Sequence, residues 1–303
     1  MTYDCLIIGG GIAGLQAAIQ LGRYSAHKVA VIDSGHGRSS LCRQYHNLLG
    51  WPEGVSGPEL RKRGRDQAKA VGIEFIDDEI KKADKHEGEF MLEGRDGTAY
   101  RSRTLLLATG LLDRYPHIPG LEDTLGQSVY VCPDCDGYEI QDRKTIMFGS
   151  GEAGAEMSLL LSERTQELTY INHEKQPVDH STLRHLEQAG VSYVEQPVRE
   201  ILCQEEGMIT EAILEDGTRL AAERGFIAFG GNHVRSELAE QLGVKLHHNR
   251  HVEADPRSKM TNVQNVWVAG DLGVHAEQVT VAMGDGATAA IWIHKVLRKM
   301  DRS

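Results

Sequence analysis

Long hydrophobic runs are missing from this sequence of 303 residues, and so is any excess of basic charge. No apolar stretch approaches the roughly 18 residues that a spanning helix requires, so no membrane segment is expected. The 33 Lys and Arg side chains are outnumbered by 44 Asp and Glu, which gives a net charge of −11. Nucleic acid and anionic membranes are therefore not expected partners.

Cysteine is also scarce, with five in the whole sequence. This odd, low count is typical of a reducing compartment, and no signal peptide precedes the first strand-like segment, so we expect a cytoplasmic protein. Only Cys132 and Cys135 form a close pair. Structural zinc requires a second Cys or His pair at suitable spacing. The one candidate, residues 247–251, has the composition of a solvated polar loop, so no metal site is expected.

Glycine, in contrast, is abundant at 33 residues, and the first cluster carries a recognisable pattern. Tyr3–Ile8 has the composition of a buried strand, and Gly9-Gly10-Gly11-Ile12-Ala13-Gly14 follows at once, with a helix-like run to Arg23. A GxGxxG motif between a strand and a helix is typical of dinucleotide binding, because the helix N-terminus offers free N–H groups to phosphates.

Each part of this first motif has an expected role. Gly9 makes the tight turn, Gly11 lets a pyrophosphate approach the backbone, and Gly14 allows close helix packing. A second strand, Val29–Ile32, ends in Asp33, whose carboxylate can accept hydrogen bonds from a ribose 2′-hydroxyl.

The same pattern recurs in the middle of the chain. A strand over Thr145–Phe148 is followed by a second fingerprint with Gly149, Gly151 and Gly154, and by a helix through about Ser162. The strand after it, Glu167–Ile171, leads into Asn172-His173-Glu174-Lys175, where a ribose would be read.

That ribose-reading turn does not identify its ligand. An NADP site requires arginines for the 2′-phosphate, and Glu174 would repel that group. Glu174 could instead bind the ribose of NAD. NADPH, NADH and no nucleotide at all therefore stay open as alternatives.

The remaining strands complete a divided fold. Apolar strands at Gly225–Phe229 and Val266–Ala269 and a last helix from Gln278 need a sheet to pack on. We expect an α/β protein with two Rossmann-like, three-layer domains, the first split by insertion of the second. The expected boundaries are 1–113 plus 236–303 for the first domain and 114–235 for the inserted one.

The chemistry is concentrated in Cys132-Pro133-Asp134-Cys135-Asp136-Gly137, within the inserted segment. A CxxC pair at a helix start can close a disulfide across a tight loop, and the helix end lowers a thiol pKa so that thiolate forms near neutral pH. Asp136, a carboxylate next to the pair, could carry protons during exchange. The pattern predicts a redox-active dithiol.

The order GGGIAG, ATG, CPDCDG, GSGEAG, VWVAGD resembles the low-molecular-weight thioredoxin reductase family over nearly the whole chain. The resemblance implies a homodimer with one FAD per subunit in the split domain, and a thioredoxin-like protein as substrate. It implies that Cys135 faces the flavin, that Cys132 attacks the substrate disulfide, and that Asp136 is the acid/base.

The FAD contacts implied are Gly9, Gly11, Gly14 and Asp33 for the ADP half, Gly270 and Asp271 for the ribitol, and Gln278, Val279 and Thr280 for the flavin end. Because one dithiol cannot face both flavin and partner, the inserted domain is expected to rotate.

The sequence departs from the family at the second ribose turn. Typical members carry His-Arg-Arg and a further arginine, whereas Asn172, His173, Glu174 and Val178 stand here. This makes NAD(P)H use uncertain. Relatives with other electron donors, including ferredoxin-linked reductases, therefore become relevant. The departure also brings in dithiol oxidases, which close disulfides in small molecules and reduce oxygen.

The segments His46–Gly50 and Glu277-Gln278-Val279 are similar to the dithiol oxidases. Asp136 is typical of the reductases instead, because the oxidases have histidine there. We therefore expect a FAD-dependent thiol–disulfide oxidoreductase, with a small-molecule dithiol oxidase and a non-catalytic flavin redox sensor as alternatives.

Overall fold

The structure is a computed structural model, and it describes residues 2–302. Its strands, numbered in chain order, are β1 Thr2–Ile8, β2 Val29–Asp33, β3 Glu74–Asp77, β4 Ile80–His86, β5 Glu89–Gly94, β6 Ala99–Leu107, β7 Leu111–Leu112, β8 Val129–Tyr130, β9 Thr145–Gly149, β10 Leu168–Asn172, β11 Ser192–Val194, β12 Val198–Gln204, β13 Met208–Leu214, β14 Arg219–Ala221, β15 Arg224–Ala228, β16 His233–Val234 and β17 Val266–Val268.

The helices, numbered in the same way, are α1 Ile12–Gly22, α2 Gly57–Ala70, α3 Leu121–Thr124, α4 Pro133–Asp136, α5 Gly151–Leu161, α6 His180–Gln188, α7 Glu237–Gln241 and α8 Val279–Met300. Among residues 2–302, no helix is long and apolar enough to cross a membrane.

The chain divides into two compact units, of which the first comprises Met1–Ser40, Gly57–Leu112 and His233–Ser303. Its sheet has the order β3-β2-β1-β6-β5-β4, and β17 pairs with the second half of β6. Strands β3, β2, β1, β6 and β17 run parallel, and β4, β5 and β6 form an antiparallel meander. Parallel strands joined through helices match the predicted nucleotide-binding fold.

Both faces of this first sheet are buried, because successive side chains of a strand point to opposite faces. On one face, Leu6, Ile8 and Leu105 pack with the side chains of the meander. On the other, Ile7 and Trp267 pack against α1 and α8. The apolar runs of β1 and β6 reflect this two-sided burial.

The second unit comprises Leu41–Ser56 and Asp113–Asn232. Its parallel sheet has the order β11-β10-β9-β15-β8, and β12, β13 and β14 form a separate antiparallel sheet. Strand β9 therefore lies between β10 and β15. In open sheets of this kind ligands bind at the carboxyl edge, where the strand order reverses, which here is at β9.

The predicted elements correspond closely to those observed. The strand predicted at Thr145–Phe148 is Thr145–Gly149, and the helix predicted from Gln278 begins with Gln278 as its N-cap. The predicted fold class, two Rossmann-like α/β parts, is confirmed. The grouping of Leu41–Ser56 with the second unit was not predicted.

Candidate functional site

The first glycine loop connects β1 to α1, and the structure gives each of its glycines a distinct environment. A Cβ on Gly9, whose φ is +108°, would lie 2.2 Å from the Ala108 carbonyl oxygen, and one on Gly14 would lie 1.9 Å from the Gly9 oxygen. A Cβ on Gly11 would meet nothing within 4 Å. The loop is therefore tightly packed beneath and open above Gly11, as a pyrophosphate cradle requires.

Asp33 lies beside this cradle at the end of β2. Its carboxylate is so close to Gly10 that a Cβ there would be 2.6 Å from Asp33 Oδ2. The same oxygen accepts a hydrogen bond from Arg61 Nη2 at 3.0 Å. The first turn of α1 carries no acidic residue, so the positive end of the helix is available to an anion. These residues fit the ADP half of FAD.

The residues expected at the other end of FAD belong to the same unit. Gly270 has φ +74°, and a Cβ on it would lie 2.8 Å from Ala13 Cβ on α1. Asp271 follows, with Arg38 Nη1 3.7 Å from its carboxylate, and Arg38 also binds Glu277 at 2.5 Å. Gln278 caps α8, and Val279 and Thr280 begin it.

The dithiol lies at the start of α4 in the second unit. Cys132 and Cys135 are joined by a disulfide. Cys132 is the extended N-cap, Pro133 occupies the first turn, and the Cys135 N–H donates to Cys132 Sγ at 3.2 Å. Such a hydrogen bond stabilises a thiolate on Cys132 once the disulfide is reduced. Asp136 ends this short helix.

The segment Leu41–Ser56 belongs to the same unit as the dithiol and adds two features that the sequence did not predict. His46 Nδ1 lies 3.1 Å from Glu139 Oε1, which follows the CxxC pair. The Cys42 thiol has its pKa raised to about 12 by burial and then by the negative charge of Asp136. Cys42 is therefore protonated near neutral pH and is a poor nucleophile.

The second glycine loop, between β9 and α5, is covered. A Cβ on Gly151 would lie 3.0 Å from Gln176 Cβ and 3.1 Å from the Pro177 oxygen. The Gly151 N–H donates to Asn172 Oδ1 at 3.0 Å, and the Tyr170 hydroxyl donates to the Gly151 oxygen at 2.7 Å. The Gly151 N–H, which a pyrophosphate would require, is therefore already bonded to another residue of the chain.

Glu174, in the turn after β10, forms an ion pair that the sequence did not predict. Arg114 Nη2 lies 2.5 Å from Glu174 Oε1, and Arg114 Nη1 donates to the Phe229 oxygen at 3.0 Å. Burial acts to raise the pKa of Glu174, but hydrogen bonds with Ser150 and Arg114 hold it below its usual value. Glu174 is ionised and engaged at neutral pH.

A cavity of about 380 Å³ opens beside this ion pair, within the second unit. Arg114 and Glu156 contribute polar groups to its wall. Its apolar wall is formed by Val131, Ala153, Met157, Leu160, Ile227 and Phe229. Val131, which lines the cavity, directly precedes Cys132 in the chain.

Comparison with known proteins identifies the family. The profile described as pyridine nucleotide-disulphide oxidoreductase matches residues 3–286. The chain belongs to this family. Thioredoxin reductase of Rickettsia bellii is 28% identical over 312 residues, which cover 99% of each chain. The solved structure of HlmI is 26% identical with a TM-score of 0.88, covering 99% of this chain and 94% of that one. Thioredoxin reductase of Streptococcus pyogenes has the same fold, with a TM-score of 0.88, 24% identity and coverage of 98% and 99%.

The predicted resemblance to thioredoxin reductases is thus confirmed, and the chain is an enzyme of the flavoprotein disulfide oxidoreductases. FAD is the cofactor of these proteins. The second glycine motif is present in this chain, but Gly151 and Glu174 are engaged by other residues of the chain.

Proposed function

We propose that the protein transfers electrons between FAD and the Cys132–Cys135 pair, and from there to or from a thioredoxin-like protein. The observation that carries this proposal is the disulfide at the α4 start, in a chain whose first glycine loop is open to FAD. Bound FAD would supply two-electron redox chemistry at its isoalloxazine ring. We also propose a homodimer, as the resemblance implies, together with the domain limits 1–113 plus 236–303 and 114–235 and a cytoplasmic location.

The protein residues would divide the exchange reaction between them. In the reducing direction, the Cys132 thiolate attacks one sulfur of the substrate disulfide, forming a mixed disulfide and releasing a substrate thiolate, which takes up a proton. The Cys135 thiolate then attacks Cys132 Sγ, which re-forms the Cys132–Cys135 disulfide and releases the second substrate thiol. Asp136 is proposed as the group that supplies and accepts these protons.

Trapping tests this assignment. A Cys135→Ser variant cannot resolve the mixed disulfide, so it should accumulate a covalent adduct with an oxidised thioredoxin through Cys132. A Cys132→Ser variant is the matched control and should form none. The same variant pair incubated with a small disulfide separates a protein substrate from a small one. Absence of both adducts would refute the assignment.

A dithiol oxidase that closes disulfides in small molecules is the second candidate. The engaged second glycine loop favours it, because electrons then enter through dithiols instead of a pyridine nucleotide. In that direction the substrate dithiol loses two electrons and two protons, and oxygen accepts them to give hydrogen peroxide. Oxygen consumption with a dithiol, without added nucleotide, distinguishes it from a reductase fed by a ferredoxin-like donor.

A further inference from the structure

The two glycine loops of this chain allow an internal comparison, because they share a motif and differ in what covers them. Space is open above Gly11 of the first loop, whereas Gln176 and Pro177 pack directly on Gly151 of the second. The first turn of α1 has no acidic residue, and the first turn of α5 carries Glu152. Only the first loop retains the features that attract a pyrophosphate.

The N–H group of Gly151 is held by a buried amide. Asn172 is fully buried, and its Oδ1 accepts the Gly151 N–H at 3.0 Å. Its Nδ2 donates to the Gln176 oxygen at 2.7 Å and to the Tyr193 hydroxyl at 2.9 Å. A phosphate competing for Gly151 would therefore have to break a connected network, and it would leave buried polar groups without partners.

The negative charge near the N-terminus of α5 also disfavours the binding of a dinucleotide. Glu152 accepts hydrogen bonds from the Asp179 N–H at 3.1 Å and from the Thr182 hydroxyl, so its carboxylate is fixed near the α5 N-terminus. Glu174 is bound to Ser150, the N-cap of the same helix. Two carboxylates thus already compensate the positive helix end and would repel a pyrophosphate.

The ion pair between Arg114 and Glu174 lies across the edge of the sheet. Glu174 follows β10, while Arg114 is tied to the Phe229 carbonyl, which follows β15. Strand β9 lies between β10 and β15, and its loop contributes Ser150, which is bound to Glu174. The pair, called here the Arg114–Glu174 bridge, therefore spans the carboxyl edge at the position where a dinucleotide would lie.

We propose that the second Rossmann fold is closed to NADPH and NADH by its own residues, through the Arg114–Glu174 bridge, Glu152 and the Asn172 network. The residues present do not fit the nucleotide that the family's name implies. This inference rests on the proposed function in one respect: electrons reach or leave the enzyme through dithiol chemistry and not through this fold.

Calorimetric titration of the FAD-loaded full-length protein with NADPH and with NADH tests the closure. The unaltered protein should show no saturable binding up to millimolar nucleotide. The double variant Glu152→Gln, Glu174→Ala removes both carboxylates, frees Arg114 for a phosphate and should bind NADPH saturably with a Kd of about 0.1 mM or lower, at least tenfold below that millimolar limit. Glu187→Gln, which removes an exposed carboxylate on α6 of the same unit, is the matched control and should behave as the unaltered protein.

Each result decides a separate question. Micromolar binding by the unaltered protein would overturn the closure. A double variant that keeps its flavin and its melting temperature but still binds no NADPH would show that these carboxylates are not the barrier. Dithiol reduction of the flavin is measured on the same unaltered sample: if it fails while nucleotide binding is also absent, the proposed function fails and the closure stands.

Discussion

The backbone N–H of Cys135 donates a hydrogen bond to Sγ of Cys132 at 3.2 Å, at the first turn of α4. This contact distinguishes the two cysteines, because the donated N–H stabilises negative charge on Cys132. It gives a structural reason for assigning the attack on substrate to Cys132.

Thiol reactivity should follow this difference. Burial raises the pKa of both the Cys5 and the Cys42 thiol to about 12. At pH 8 only about one in ten thousand such thiols is ionised, so alkylation is slow. After reduction of the protein, iodoacetamide should label Cys132 well before Cys5 or Cys42, as followed by peptide mass spectrometry. Labelling of Cys42 as fast as Cys132 would contradict this order.

Substitution of glycines in the first loop should separate packing from FAD binding. Gly14→Ala places a Cβ 1.9 Å from the Gly9 oxygen and should destabilise the fold by about 2–4 kcal/mol. Gly11→Ala, at φ −74° with open space around it, should keep the melting temperature of the FAD-free protein but lose FAD on gel filtration. Gly284→Ala, in open space within α8, is the control and should retain both. Full FAD content in Gly11→Ala would argue against the cradle.

A charge cluster around the buried Asp285, near the start of α8, predicts a pH dependence of stability. His275 Nε2 and Lys259 Nζ each lie 2.6 Å from the Asp285 carboxylate. The hydrogen bond to Asp285 raises the pKa of His275 above 6.5. Burial acts to raise the pKa of Asp285, but hydrogen bonds with His275 and Lys259 lower it below 3.8.

The raised pKa of His275 determines how its contribution to stability changes with pH. A raised His275 pKa contributes stability that is complete below pH 6.5 and is lost as the pH rises through the folded-state value. His275→Gln should therefore cost about 1–2 kcal/mol in the free energy of unfolding near pH 6 and less near pH 9. His86→Gln, at an exposed position on β4, should show no such trend in denaturant titrations. An equal cost at both pH values would show that the charge on His275 does not contribute to the free energy of unfolding.

The fold was largely predictable because its signals are local. The strand, glycine turn and helix around Gly9–Gly14 are contiguous, and so are those around Gly149–Gly154. The position of Cys132 at a helix start follows from Pro133, which suits the first turn. These features need only neighbouring residues.

The contacts that cover the second glycine loop were not predictable in the same way. Arg114 and Glu174 are 60 residues apart, and no pattern in the sequence pairs them. The sequence showed that the usual arginines are missing, but not that Asn172 occupies the Gly151 N–H. The pairing of His46 with Glu139 likewise depends on the tertiary placement of Leu41–Ser56.

The most direct test is an anaerobic titration of the FAD-loaded protein with a dithiol, following flavin absorbance. We expect that dithiothreitol bleaches the flavin of the unaltered protein, and that neither Cys132→Ser nor Cys135→Ser is bleached at a comparable rate. Equal bleaching of the unaltered protein and the Cys135→Ser variant would contradict it, because electrons would then reach the flavin without the Cys132–Cys135 pair.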